Sequence, residues 1–498
     1  MDLKVKAGDI LKDKSDAAAL TAFEGEALSG ILKDADKALG GVISDAVKSG
    51  EFTGKPGETL LLHTAKELKG GPARLLVVGL GKKDKLKADS LMRASGTAAR
   101  KLRKLGCKEG VFSVDESAGL TITRSAMHWA QGALLGLYTY DTFKAVDKDK
   151  KEIKKLTLMV ADRSALKGAE EGAKTGRLIS ESVCYARDMI NAPANEMTPT
   201  IMAERAKRAA KDVGLRYKSL EASDCRKLGM GSFLAVAAGS VQPPKLITLE
   251  YSGGKRGEKP VVLVGKAITF DSGGISIKPV SGMEKMKYDM SGGAAVIGVM
   301  RAAAALKLPV NLVGLVPASE NLPSGSAYKP GDVVRAMNGK TIEIISTDAE
   351  GRMVLADALC YSERYKPRAI IDIATLTGGC VVALGDQAIG LMGNDAALNS
   401  AILDAGNKTF ERAWELPMWD EFLEPMKGDV SDLRNAAGRE AQTITAGKFL
   451  EEFVPKGVAW AHLDIAGVAW EEKGMAYIPK GARGTGVRLL LEYLMAGV

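Results

Sequence analysis

Two short stretches hold the residues most able to do chemistry. The first, VVLVGKAITFDSGGISIKPVSGMEKMKYD (261–289), contains Lys266, Asp271, Lys278 and Asp289, with glycines at 273, 274 and 282. The second, STDAEGR (346–352), contains Asp348, Glu350 and Arg352. Gathering such charges is costly unless they pair with one another or with something bound. Carboxylates are hard oxygen donors suited to divalent cations. The expectation is that these residues hold metal ions.

The surrounding elements must bring them together. Val261–Val264 is a short apolar run of buried-strand type, ended by Gly265. The charges after it would lie at the carboxyl edge of a sheet, where open α/β folds place their clefts. The run IEII (342–345) precedes the second stretch. Residues two apart in an extended chain face the same way, so Asp348 and Glu350 could reach one point. Gly351 lets the backbone turn, and Arg352 opens the next helix. Further strands are read at Lys245–Tyr251, Val310–Val316, Thr341–Ile345 and Ala369–Ile373, with helices at Ala294–Leu306 and Met353–Tyr365. Such alternation predicts an α/β fold with a mainly parallel, doubly wound sheet. Nearer the start, strands are read at Arg74–Val78, Val111–Val114 and Leu156–Val160. A helix capped by Asp89 runs to Leu105 and stops at Gly106. A helical pattern through Leu178, Ile179, Val183, Ala186 and Ile190 is broken by NAPANEMTP (191–199), where each proline disfavours helix in the residue before it. The reading is a smaller N-terminal α/β domain (1–165), a connecting helix (166–190) and a larger C-terminal catalytic domain (191–498).

Composition narrows the chemistry. Only three histidines occur (63, 128 and 462), so a histidine-rich zinc site is nearly excluded. Five scattered cysteines without a CxxC pair fit a reducing cytoplasm better than a disulfide scaffold. No apolar run is long enough for a membrane helix, and the start, MDLKVKAGDI, lacks the apolar stretch of a secretory signal. A net charge of +8 permits anionic partners without demanding them. Ordinary explanations cover most other features. Lys82-Lys83, Arg100–Lys104 and Lys148–Lys155 read as solvated faces, Asp357 as structural or exposed, and His462 as a core histidine. Gly79-Leu80-Gly81 lacks the third glycine of a dinucleotide loop. An acid pair after one strand is commonplace; two such segments, each carrying cations, are not.

VGKAITFDSGG, MKYDMSGGAAV, STDAEGRMVLADAL and NAPANEMTP together closely resemble the leucyl aminopeptidase (cytosol aminopeptidase) family of two-metal exopeptidases. The resemblance runs from about Asn191 to the C-terminus. It implies that Asp271 and Glu350 bridge two divalent metals (manganese, zinc or magnesium), that Asp348 completes one site, and that Lys266 with Asp289 completes the other. Lys278 and Arg352 would be the catalytic pair, Arg352 binding bicarbonate. Lys278, Met286, Asp289, Thr375 and Leu376 would meet substrate. A hydroxide shared by the metals would attack the peptide bond, and a free N-terminal amine would be required. The family resemblance also implies a cytoplasmic homohexamer. The sequence departs from the family pattern at Ser346 (usually Asn), Ala267 (usually Gly), Gln442 (usually Gly) and Gly447 (usually Ala). None of these removes an expected ligand. A second role as a DNA-binding regulator is the alternative suggested by the basic N-terminal domain.

Overall fold

The computed structural model describes residues 1–116, 119–145 and 149–497; Lys148, at the head of one basic run, lies outside them. The chain forms two compact units, residues 1–181 with 473–480, and residues 182–472 with 481–498.

The first unit is built on six strands: β1 (Asp2–Ala7), β2 (Ala17–Phe23), β3 (Thr59–His63), β4 (Arg74–Gly81), β5 (Glu109–Ser113) and β6 (Lys155–Val160). Their order is β1-β6-β5-β2-β4-β3, all parallel except β3. Successive side chains of a strand point to opposite faces, and both faces here are apolar. Ala17, Ala19, Leu76 and Val78 pack with Leu91, Ala98 and Trp129 from the helices Ala88–Lys104 and Ile122–Gly136. Ala18, Leu20, Leu75 and Val77 pack with Leu32, Ile43 and Phe52 on the other side. The expected cap at Asp89 is corrected. Lys87 takes the cap position, and Asp89 is buried inside the first turn, paired with Arg93 and the Tyr477 hydroxyl.

The second unit contains β7 (Arg216–Leu220), β8 (Lys245–Ser252), β9 (Val261–Gly265), β10 (Ala267–Asp271), β11 (Asn311–Asn321), β12 (Val333–Arg335), β13 (Thr341–Glu343), β14 (Ala369–Ala374), β15 (Ile389–Gly393), β16 (Ala413–Glu415), β17 (Leu433–Arg434) and β18 (Ala459–Asp464). The main sheet has the order β16-β15-β18-β14-β9-β11-β8-β7, with β10 continuing beside β11. The central run β18-β14-β9-β11 is parallel; β15 and β8 join it antiparallel. On one face Val262, Val264 and Ile370 share a core with Met353, Leu355 and Phe449. On the other, Gly314 leaves room for Val296 and Met300 of the helix Ser291–Leu306; an added Cβ would come within 2.9 Å of both.

One expectation changes. Thr341–Ile345 is strand only over Thr341–Glu343, and it joins a separate three-stranded sheet, β12-β13-β17. Its side chains alternate between half-buried and buried, the pattern of a strand covered on one face, whereas a central parallel strand is apolar throughout.

Asp357, in the helix Glu350–Ser362, is structural. Its two oxygens accept from the backbone N–H groups of Phe233 (2.8 Å) and Met337 (2.7 Å). Burial pushes its carboxyl up to about 7 against the pull of those bonds. An amide has one acceptor oxygen, so Asp357→Asn strands one buried N–H. The expected cost is about 1–3 kcal/mol in urea unfolding.

Candidate active site

The carboxyl ends of the central parallel strands supply the site, as open α/β sheets generally do. β9 gives way to Lys266, β10 ends on Asp271, β11 on Asn321, β14 leads into Thr375, and β18 ends on Asp464. Lys266 occupies the break between β9 and β10. Its N–H donates to Ile373 O (3.1 Å), and its carbonyl accepts from Gly293 N (2.7 Å). The backbone is thus clamped on both sides of a buried charge.

The following turn depends on glycine. Gly273 and Gly274 have φ of +86° and +67°. A Cβ on Gly273 would meet Ser276 O at 2.4 Å; one on Gly274 would meet Asn321 Oδ1 at 2.8 Å. Only glycine adopts this backbone without strain. The turn sends Lys278 back over Asp271, where its ammonium lies 2.8 Å from Asp271 Oδ2 and pairs with Asp348 as well.

Asp348 and Glu350 do converge, but through a turn and a helix start rather than an extended chain. Ser346 Oγ accepts from Asp348 N (3.2 Å), and Glu350 is the first residue of its helix. Ligand oxygens of Asp271, Asp348 and Glu350 fall within 4.8 Å of one another. Beside them, Lys266 Nζ lies 2.8 Å from both Asp289 and Glu350 and donates to Thr375 O (2.9 Å). The Thr375 hydroxyl donates to Asp289 (2.7 Å). The expected acids and lysines are therefore gathered in one place. Met286 is half-buried in the short 3-10 turn Met283–Tyr288 just before Asp289, and Leu376, also half-buried, follows Thr375.

Electrostatics show how the cluster is balanced. Burial alone would lower the Lys266 ammonium, but Asp289, Glu350 and Asp271 outweigh it and hold the group cationic. Lys278 behaves likewise, with Asp271, Glu350 and Asp348 as the opposing charges. The neutral lysine that a metal ligand requires would need cations strong enough to reverse this balance. Burial pushes the Asp289 and Glu350 carboxyls up, with neighbouring acids adding to the shift. Burial lowers the Arg352 guanidinium to about 10, so it stays charged at neutral pH. Glu350 Oε2 and Arg352 Nε are buried with no hydrogen-bond partner among the described residues. An orphaned carboxylate oxygen beside an acid trio fits a divalent cation, and an orphaned guanidinium N–H fits an anion.

Some participants gave no sequence signal strong enough to find them. Asn321 Nδ2 donates to Asp271 (2.8 Å) and to Thr347 O (3.0 Å), orienting the acid. Asp464, fully buried, accepts from Leu376 N and the Thr377 hydroxyl. His462 is the core histidine expected, its Nδ1 2.5 Å from Asp372. The departures have local compensations. The Gln442 side chain accepts from Gly379 N (2.8 Å) at a helix start, and Gly447 faces Met392 Sδ, which a Cβ would approach to 2.7 Å.

Gly351 offers a sharp test. A Cβ there would lie 2.6 Å from Lys266 Nζ, 2.7 Å from Cε and 2.9 Å from Cδ. Gly351→Ala improves helix propensity, yet it must push Lys266 out of place. The expected result is a lower Tm, because displacing the buried ion pair outweighs the helix gain, with turnover down about 10–100-fold.

Acids, a buried lysine and an orphaned guanidinium at the carboxyl edge of parallel strands mark a class of α/β protein whose sheet-edge cleft fits a divalent cation and an anion. Comparison with known proteins gives the particular family. Residues 184–491 match the catalytic domain of the cytosol aminopeptidase family and residues 19–147 its N-terminal domain. A probable cytosol aminopeptidase of Geobacter sulfurreducens is 49% identical over 469 residues, 94% of each chain. One from Pseudomonas aeruginosa is 45% identical over 97% of each. Among solved structures, a tomato leucine aminopeptidase mutant aligns with a TM-score of 0.89 at 32% identity, covering 100% of this chain and 97% of its own. A manganese complex of the bottromycin maturation enzyme BotP aligns at 0.85 and 33% identity, covering 97% and 99%. The chain belongs to the cytosol aminopeptidase family and is a peptidase, a hydrolase. Among the described residues, no helix is long and apolar enough to cross a membrane.

Proposed function

We propose that the chain removes N-terminal residues, leucine among them, from peptides, using two divalent metal ions held by Lys266, Asp271, Asp289, Asp348 and Glu350. The observation that carries this reading is the approach of Asp271, Asp348 and Glu350 to within 4.8 Å beside the Lys266–Asp289 pair. Two such cations would supply a water acidic enough to attack a peptide carbonyl near neutral pH. The protein does the rest. Asp271 and Glu350 would be the shared ligands, with Asp348 completing one site and Lys266 with Asp289 the other. Lys278 would donate from its ammonium to the oxyanion that develops on the carbonyl. Arg352, charged and unpartnered at Nε, suits bicarbonate, which could carry the proton to the leaving amine. Met286, Thr375 and Leu376 border the cluster where the first side chain of a peptide would rest.

A free N-terminal amine is the expected requirement. Leucyl-p-nitroanilide should be hydrolysed and its N-acetyl derivative left intact. Metal-stripped protein should lose turnover and regain it with manganese, zinc or magnesium. Equal cleavage of both substrates, or full turnover after exhaustive chelation, would overturn the reading. A cytoplasmic homohexamer is proposed with it, on family membership and on the exposed Trp414, Trp419 and Val382 of the second unit, large apolar side chains of the kind partners cover. Equilibrium sedimentation tests the hexamer. DNA binding as an added role rests on the basic residues of the first unit. A gel shift that weakens steeply with salt tests it.

A further inference from the structure

We propose that a depression in the first unit, distinct from the candidate active site, binds a compact polyanion bearing two or more phosphate-type groups. The depression holds about 840 Å³ and is broadly open to solvent. One wall is the last part of the helix Ala88–Lys104, carrying Arg100, Lys101, Arg103 and Lys104; another carries Lys150 and Lys151, and Gly474–Ala476 form a third.

Cations in a last helical turn are unremarkable, because they meet the negative end of the helix. That accounts for Lys101, Arg103 and Lys104 singly. Lys151, from a separate segment, brings another cation to the same helix end, donating to Lys104 O (3.2 Å). Among the described residues, no carboxylate lies within ion-pair distance of Arg100, Lys101, Arg103 or Lys104, whereas Lys150 is already paired with Asp141 and Glu152. Asp149 is the acid in the lining. The two guanidinium groups are held by carbonyls: Arg100 Nη1 donates to Met475 O (2.6 Å) and Arg103 Nη1 to Leu137 O (2.8 Å). Such anchoring fixes each fork and leaves most of its donors unspent. Burial, then the neighbouring Arg100, pushes the Arg103 guanidinium down, with Glu152 opposing them. Cations drawn from two segments onto one depression, two of them with fixed forks, suit a compact anion with several charged oxygens.

Calorimetric titration of the full-length protein with tripolyphosphate tests this. One saturable site per chain is expected, weakening as salt rises from 50 to 200 mM. The exposed-charge variant Lys101→Gln/Lys104→Gln should bind at least about tenfold more weakly, with leucyl-p-nitroanilide turnover unchanged. Arg100→Gln, made separately, should weaken binding in the same direction. Comparing variants cancels any chelation at the catalytic centre. Absence of a saturable site overturns the proposal, as does binding that both variants leave intact. A 12-base-pair duplex held more tightly than tripolyphosphate through the same lysines would assign the surface to nucleic acid and overturn it too.

Discussion

Replacing Lys278 with alanine should lower kcat for leucyl-p-nitroanilide by about 10²–10³-fold, the loss typical of removing one oxyanion donor, with KM and bound metal little changed. Its ammonium lies against Asp271 and Asp348, and the surrounding carboxylates hold its proton firmly. It is also the more exposed of the two lysines, its side chain 21% accessible against 3% for Lys266. A group at the mouth of the cluster can meet substrate, whereas a group sealed beneath it cannot. Lys278→Arg should recover part of the rate, since charge returns with different reach. A kcat within threefold of the parent in metal-loaded Lys278→Ala would remove the lysine from the chemistry.

Glu350→Ala should have a broader effect. Glu350 belongs to the acid trio and also pairs with Lys266 at 2.8 Å, so it joins the two halves of the site. Its loss leaves Lys266 with Asp289 as the remaining close counter-charge. Metal content measured by plasma mass spectrometry should fall below two ions per chain. Turnover should fall by more than the roughly 10–100-fold usual for residues that merely support a ligand. Full metal content with parental kcat would show that the carboxylate is not a ligand.

The acids and lysines of the site were legible because each lies within a few residues of a strand end and a glycine turn, and both signals are local. Lys266, Asp271 and Asp289 come from one continuous stretch, Asp348 and Glu350 from another. Their convergence could be expected only because each stretch carried charges with no separate purpose. Asn321 and Asp464 were not legible. Each is a polar residue at the end of a largely apolar strand, and its partner is far away in sequence: Asp271 for Asn321, Thr377 for Asp464. Those contacts depend on which strands lie side by side, which no local pattern encodes. The misplacement of Thr341–Ile345 has the same origin. IEII looks like any sheet strand, and only its pairing with Val333–Arg335 and Leu433–Arg434 puts it in a separate sheet. The parallel core was readable because strands buried on both faces are apolar without interruption.

Residues 473–480 belong to the first unit although the rest of that unit is complete by residue 181. Tyr477 reaches the buried Asp89, and the Ala476 carbonyl lies where a side chain on Gly96 or Gly136 would collide. On the ribosome this closing piece emerges almost 300 residues after the rest of its unit, a wait of roughly 15–60 s at ~5–20 residues per second. Throughout that interval the nascent first unit carries an unfilled groove along Gly96 and Gly136. A fragment ending at residue 181 would keep that groove permanently and be prone to aggregate.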